Sequence, residues 1–194
     1  IWFLCISAPD QAHGNGYYLF VTSDLDSTKP NTGTSPIFAV VGGSAVTVHE
    51  KTSIPTVEKK ILDDSKVKGG DITGETDWVD AADSQVGQEV NYRLTGTIAD
   101  NYASYDSYLE VGDLVDEVIH DGLDYIEGSL SVYALNNGVY TKIDSTSYNV
   151  INPSGSSRDL VVNFNKGEKG LKSATAKNGE ELTIDGKTEI VVFY

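Results

Sequence analysis

Glu89-Val90-Asn91-Tyr92-Arg93-Leu94-Thr95-Gly96-Thr97-Ile98 places Val90, Tyr92, Leu94, Gly96 and Ile98 at every second position, with polar or small residues between most of them. Successive side chains of a strand point to opposite faces, so this period of two predicts a strand with one apolar face and one wet face. Such a strand suits an antiparallel sheet packed on one side. The same texture continues on either side of the stretch. Short runs rich in Val, Ile, Tyr and Thr are separated by Gly, Asn, Asp and Ser clusters. They predict strands over 17–21, 36–41, 45–49, 56–61, 89–98, 109–118, 130–133, 140–143, 148–151, 160–164, 182–184 and 188–194. One short helix is expected over 168–177, where Leu171, Ala174 and Ala176 precede Asn178-Gly179 as a stop. The fold class expected is all-β, a sandwich with one short helix.

The 194 residues are 39% hydrophobic, enough to build a core. A boundary is expected just after Lys51. Residues 1–51 then form the C-terminal part of a preceding β domain, and 52–194 form most of the next. The chain carries 14 basic and 29 acidic residues, a net charge of −15. Such a surface repels phosphate backbones and anionic lipid, so neither nucleic acid nor a membrane surface is the expected partner. Residues 1–6 are too short to span a membrane and lack the basic flank of a signal peptide. The chain contains no methionine and ends on Ile190-Val191-Val192-Phe193-Tyr194, which reads as the middle of a strand. Both ends are expected to be cut from something longer.

Cys5 is the only cysteine, so no intramolecular disulfide and no thiolate metal site are expected. His13, His49 and His120 are scattered without ligand spacing. Asp63-Asp64 and Asp24 with Asp26 lack the EF-hand spacing and read as solvated loop charge. No phosphate-binding glycine loop, nucleophile elbow or H-E-x-x-H is present. No metal, no cofactor and no enzymatic activity on an outside substrate are expected.

Two strands each set a charge on an apolar face. In Val57-Glu58-Lys59-Lys60-Ile61, alternation groups Val57, Lys59 and Ile61. In Leu114-Val115-Asp116-Glu117-Val118 it groups Leu114, Asp116 and Val118. A buried unpaired charge is costly, so an inward Lys59 and an inward Asp116 need a reason. One is a buried salt bridge. The other is an intramolecular isopeptide bond, in which burial favours the neutral amine and the protonated carboxyl. The amine then attacks a neighbouring Asn side-chain amide and ammonia leaves.

Ser53-Ile54-Pro55-Thr56-Val57-Glu58-Lys59-Lys60-Ile61 resembles the opening of the isopeptide-forming second domain of sortase-assembled Gram-positive fimbrial shaft proteins. Trp78-Val79-Asp80-Ala81-Ala82-Asp83, then Val86-Gly87-Gln88-Glu89-Val90, and then Asn91 to Ile98, are similar to its next segments. Asp116, Asp121-Gly122-Leu123-Asp124-Tyr125 and Gly128-Ser129 resemble its D-x-L-x-x-G-L-x-Y…G-S stretch. Gly16 to Val21 and Ser35-Pro36-Ile37 resemble the end of the preceding domain. The likeness covers most of residues 16–194 and none of 1–15.

The resemblance implies immunoglobulin-like domains of the CnaA or CnaB type. It implies Lys59 as the bond-forming lysine and Asp116 as the catalytic acid. The step from Asp116 to Gly122 is one residue longer than the family pattern, which keeps Asp113 as a rival. The family's acceptor Asn follows a segment like 188–194 and is expected beyond Tyr194. Lys51, in Val48-His49-Glu50-Lys51-Thr52, occupies the place of the lysine that sortase joins to the next subunit, without the family's Tyr-Pro and Asn. The function implied is a structural shaft subunit of a cell-wall-anchored, extracellular pilus. Its partners are identical subunits, sortase during assembly and a host surface ligand. The alternative is an adhesin or carbohydrate-binding β-sandwich that stacks sugars on Tyr102, Tyr105 and Tyr108.

Overall fold

The computed structural model describes residues 3–4, 16–20, 37–41, 54–63, 72–106, 114–116 and 122–194. The chain divides into two units, Ile1–Ile54 and Pro55–Tyr194. In the first, β1 (Phe3–Leu4), β2 (Gly16–Phe20) and β3 (Ile37–Val41) form a sheet in that order. β1 runs parallel to β2, and β3 runs antiparallel to it. Register pairs Tyr17 with Val40 and Leu19 with Phe38, so the exposed Tyr17, Phe38 and Val40 share one face. The strand expected over 45–49 lies outside the described residues.

Among the described residues, every strand pairing of the second unit is antiparallel. Its strands are β4 (Val57–Leu62), β5 (Trp78–Val79), β6 (Tyr92–Thr97), β7 (Leu114–Asp116), β8 (Ser131–Asn136), β9 (Val139–Lys142), β10 (Asn149–Ile151), β11 (Leu160–Asn163) and β12 (Glu189–Phe193). They form a six-stranded sheet in the order β5-β4-β6-β12-β8-β9 and a three-stranded sheet in the order β10-β11-β7. Leu94 from β6, Val132 and Ala134 from β8, and Ile190 and Val192 from β12 meet Val162 from β11 and Phe164 in one core. The two sheets thus close on a common interior, as in a sandwich. Each fully buried aliphatic or aromatic side chain contributes about 1.5–3 kcal/mol relative to its exposed state.

β6 confirms the period-two reading, with Leu94 and Gly96 buried between half-buried neighbours. β12 departs from it, because Ile190, Val191, Val192 and Phe193 are all buried. A continuous apolar run of this length suits a strand covered on both faces. β12 enters from a tight turn. A Cβ placed on Gly186 would stand 2.1 Å from the Asp100 carbonyl oxygen, so the backbones approach too closely for any side chain. Thr188, itself buried, donates through Oγ1 to Asn136 Oδ1 at 2.5 Å, and Asn136 Nδ2 donates to Thr183 O at 2.8 Å.

The helix expected over 168–177 is absent. The segment makes only a 3-10 turn over Leu171–Ser173 and then extends, with isolated bridges at Ala176 and Thr175. Leu171, Ala174 and Ala176 are all buried. The first pair is three apart, as a 3-10 turn requires, and the second pair is two apart, as an extended chain requires. Asn178-Gly179 closes a turn in which Gly179 N–H donates to Ala176 O at 2.7 Å. The strand expected over 182–184 is irregular, and Leu182 and Ile184 pack against the core without a ladder.

Candidate functional site

Lys59 lies on β4 and pairs with Leu94 of β6, while Val57 pairs with Gly96 and Ile61 with Tyr92. Paired residues share a sheet face, so Lys59 belongs to the inner face of the six-stranded sheet, with Leu94 and Val192. Glu58 and Lys60 belong to the outer face. Asp116, on β7, pairs with Leu160 of β11, and Leu114 pairs with Val162. Both Leu160 and Val162 are buried. Alternation therefore predicts the correct face for Lys59.

Enclosure is another matter. Lys59 is exposed, as are Val57 and Glu58, whereas Ile61 and Leu62 are buried. The expectation of a core lysine thus requires correction. Alternation decides the face of a sheet, but burial needs a wall across from it, and along β4 the cover begins only at Ile61. The Lys59 ammonium rests 4.6 Å from the centroid of the Tyr92 ring. Tyr92 in turn stacks on Tyr194, centroids 5.5 Å apart at 21°. Their backbones are tied both ways: Tyr92 N donates to Tyr194 O at 2.8 Å, and Tyr194 N to Tyr92 O at 3.2 Å. A cation over a ring at an exposed site is worth about 0.5–1 kcal/mol. Sequence reasoning missed both tyrosines. Tyr92 belongs to the period-two run and Tyr194 to the final apolar run, but only the register reveals that they meet.

The adjacent Lys60 has opposite chemistry. Its Nζ donates to Asp80 Oδ1 at 2.6 Å and lies 3.2 Å from Glu58 Oε1. The hydrogen bond to Asp80, and then that to Glu58, hold the ammonium above the ordinary lysine range. A stabilised ammonium is a poor nucleophile. Of the two neighbouring lysines, only Lys59 lies on the inner face.

The outer face of the six-stranded sheet carries an aromatic cluster that the sequence reading did not pick out. Phe193 is buried beneath Trp78, Tyr133 and Tyr140, at 5.5, 5.6 and 5.8 Å between centroids. Arg93 lies 5.0 Å over Trp78, and Lys142 lies 5.6 Å over Tyr133. Four aromatic residues spread over 115 positions of sequence show no local pattern that brings them together.

Lys51, Asp113 and Tyr108 lie outside the described residues, as do Cys5, all three histidines, Asp24, Asp26 and Asp64. Tyr102 is buried in the core under Lys172, whose Nζ stands 4.8 Å over its ring. Tyr105 packs against the same core. Tyr102 therefore serves packing and offers no open ring to a sugar. A cavity of about 280 Å³ is lined by loops that include Leu123, Tyr125, Asn152 and Arg158. Arg158 Nη2 donates to Leu123 O at 2.7 Å, and Asn152 Nδ2 donates to Glu127 Oε1 at 3.3 Å. Burial pushes the Tyr125 phenol up from its ordinary range.

Among the described residues, no group of three or more His, Cys, Asp or Glu side chains is arranged to hold a metal ion. No helix among them is long and apolar enough to cross a membrane. Compared with family models, with curated proteins and with solved structures, the chain matches none.

Proposed function

We propose that the chain is part of a structural shaft subunit of a covalently polymerised, sortase-assembled surface pilus. In this reading the region from residue 52 onward is an immunoglobulin-like domain stabilised by an autocatalytic bond between Lys59 and an Asn. The observation that supports it most is a pair of registers. Lys59 stands across from the buried Leu94 in one sheet, and Asp116 across from the buried Leu160 in the other. The ordered resemblance of the segments around Lys59, Trp78, Asn91 and Asp121 supports it independently.

The chemistry is a single turnover. Lys59 Nζ attacks the Asn side-chain carbonyl carbon, the new amide C–N bond forms, and the original C–N bond breaks. Asp116 passes the proton from the amine to the departing ammonia. Such a cross-link restricts the unfolded chain as a disulfide does, in a sequence whose single Cys5 cannot supply one within the chain. Lys51 is the candidate for linkage to the next subunit, with identical subunits as partners and the extracellular, cell-wall-anchored fimbria as the location.

Intact mass of the full-length protein tests the bond. The expected mass is about 17 Da below the summed residues, one ammonia lost. Lys59→Ala restores the full mass, and Lys60→Ala does not. A full mass in the unsubstituted protein, or a hydrolysis-stable loss that survives Lys59→Ala, overturns the assignment.

A further inference from the structure

We propose that Asn137-Gly138, the tip of the β8–β9 hairpin, is a site of spontaneous succinimide formation and deamidation, and that Asn178-Gly179 is locked against the same reaction. This proposal stands apart from the shaft-subunit reading. The chain has three Asn-Gly pairs, and these two lie among the described residues. Glycine after asparagine leaves the backbone nitrogen unhindered, so local geometry decides which pair reacts.

The reaction is an intramolecular acyl transfer. The Gly nitrogen attacks Cγ of the preceding Asn, forming a five-membered ring. The Cγ–Nδ2 bond breaks, and ammonia leaves with the proton taken from the Gly N–H. Solvent water then opens the ring at either carbonyl, giving aspartate or isoaspartate. The attacking nitrogen must lose its proton, the side-chain carbonyl must be mobile, and the Asn backbone must be able to rotate.

Both turns are exposed and leave open space at the glycine, so they differ in how the reacting atoms are hydrogen-bonded. Asn137 and Gly138 are both exposed, and a Cβ on Gly138 would meet nothing within 4 Å. Asn137 has φ 49 and Gly138 φ 81, the paired positive values of a two-residue type I′ hairpin loop. Gly138 N–H and the Asn137 side chain have no protein hydrogen-bond partner among the described residues. At the second turn the nucleophile is held, because Gly179 N–H donates to Ala176 O at 2.7 Å. The electrophile is held as well, because Asn178 Oδ1 accepts from Glu180 N at 3.1 Å. A third bond, from Ala176 N to Glu180 O at 2.8 Å, closes that turn behind them.

Deamidation at Asn137 adds a negative charge to a chain already at −15. Isoaspartate also inserts a methylene into the backbone of the loop that sets the pairing of Leu135 with Tyr140. The modification thus loosens β9, an edge strand, and the Tyr140 contact with Phe193.

The test is a time course on the 194-residue chain at mildly alkaline pH, read by peptide mass mapping and by enzymatic labelling of isoaspartate. In the folded chain the peptide carrying Asn137 is expected to gain about 1 Da at least tenfold faster than the one carrying Asn178, because two hydrogen bonds must break at the latter. In urea the two rates are expected to converge, which assigns the difference to the fold. Equal rates in the folded chain, faster reaction at Asn178, or a difference that persists in urea overturns the proposal. The readout is also separable from a Lys59–Asn bond. A succinimide loses the same ammonia, but it hydrolyses with time, maps to residues 137–138 and survives Lys59→Ala.

Discussion

β12 and β4 belong to the same sheet, separated only by β6, yet they live in different surroundings. β12 is covered on both faces: Ile190 and Val192 enter the sandwich core, and Phe193 is roofed by Trp78, Tyr133 and Tyr140. β4 is covered only at its C-terminal end, where Ile61 and Leu62 are buried, while Val57 is 46% exposed. A position's sheet face and its burial are therefore separate properties. The first is fixed by alternation, and the second by whatever lies across. Lys59 sits where they diverge: it has an inner-face register without a wall above it.

The largest effect expected from this contrast is at Phe193. Phe193→Ala should cost about 3–5 kcal/mol in urea denaturation, because its pocket is closed on every side. Val57→Ala should stay within about 0.5 kcal/mol. A comparable cost at the two positions would erase the contrast. Gly186→Ala comes next. Its Cβ would collide with the Asp100 carbonyl, and the backbone shift needed at the entry to β12 should cost about 1–3 kcal/mol.

Lys59→Ala in the 194-residue chain sharpens the comparison at its other end. Loss of the cation–ring contact with Tyr92 should cost about 0.5–1 kcal/mol in a thermal melt. A loss of several kcal/mol would mean that Lys59 is enclosed after all.

The smallest effect is expected at Lys60. Its folded-state pKa is raised, so its contribution is fully present below the unfolded lysine value of about 10.4 and is lost as pH rises through the folded value. Denaturation midpoints of the wild type and Lys60→Met should therefore differ slightly at neutral pH and converge at strongly alkaline pH. A gap that widens with alkalinity would contradict the pairing with Asp80. The pair is solvated, with Asp80 87% exposed, and added salt should weaken it further.

The residues that were legible in advance share one feature, a local period. β6 appears in the alternation of Tyr92, Leu94 and Gly96, and β11 in the run at Leu160. The segment 168–177 misled because Leu171 and Ala174 are spaced for either a helix or a 3-10 turn. Its neighbours Gly167 and Gly170, and the bridge from Ala176 to Ile143, resolve it toward extended chain. Trp78–Val79 was not expected as a strand, because two residues carry no period.

The sequence by itself determined the all-β class and the side of β4 on which Lys59 stands. Both follow from the two-residue repeat of an extended backbone, a local property of covalent geometry. Only the tertiary structure decided that Lys59 meets Tyr92, itself stacked on Tyr194, that Lys60 is held by Asp80, and that Gly179 N–H is bound while Gly138 N–H has no protein partner among the described residues. Covering, pairing and locking depend on groups brought together from distant parts of the chain, and no local pattern encodes their meeting.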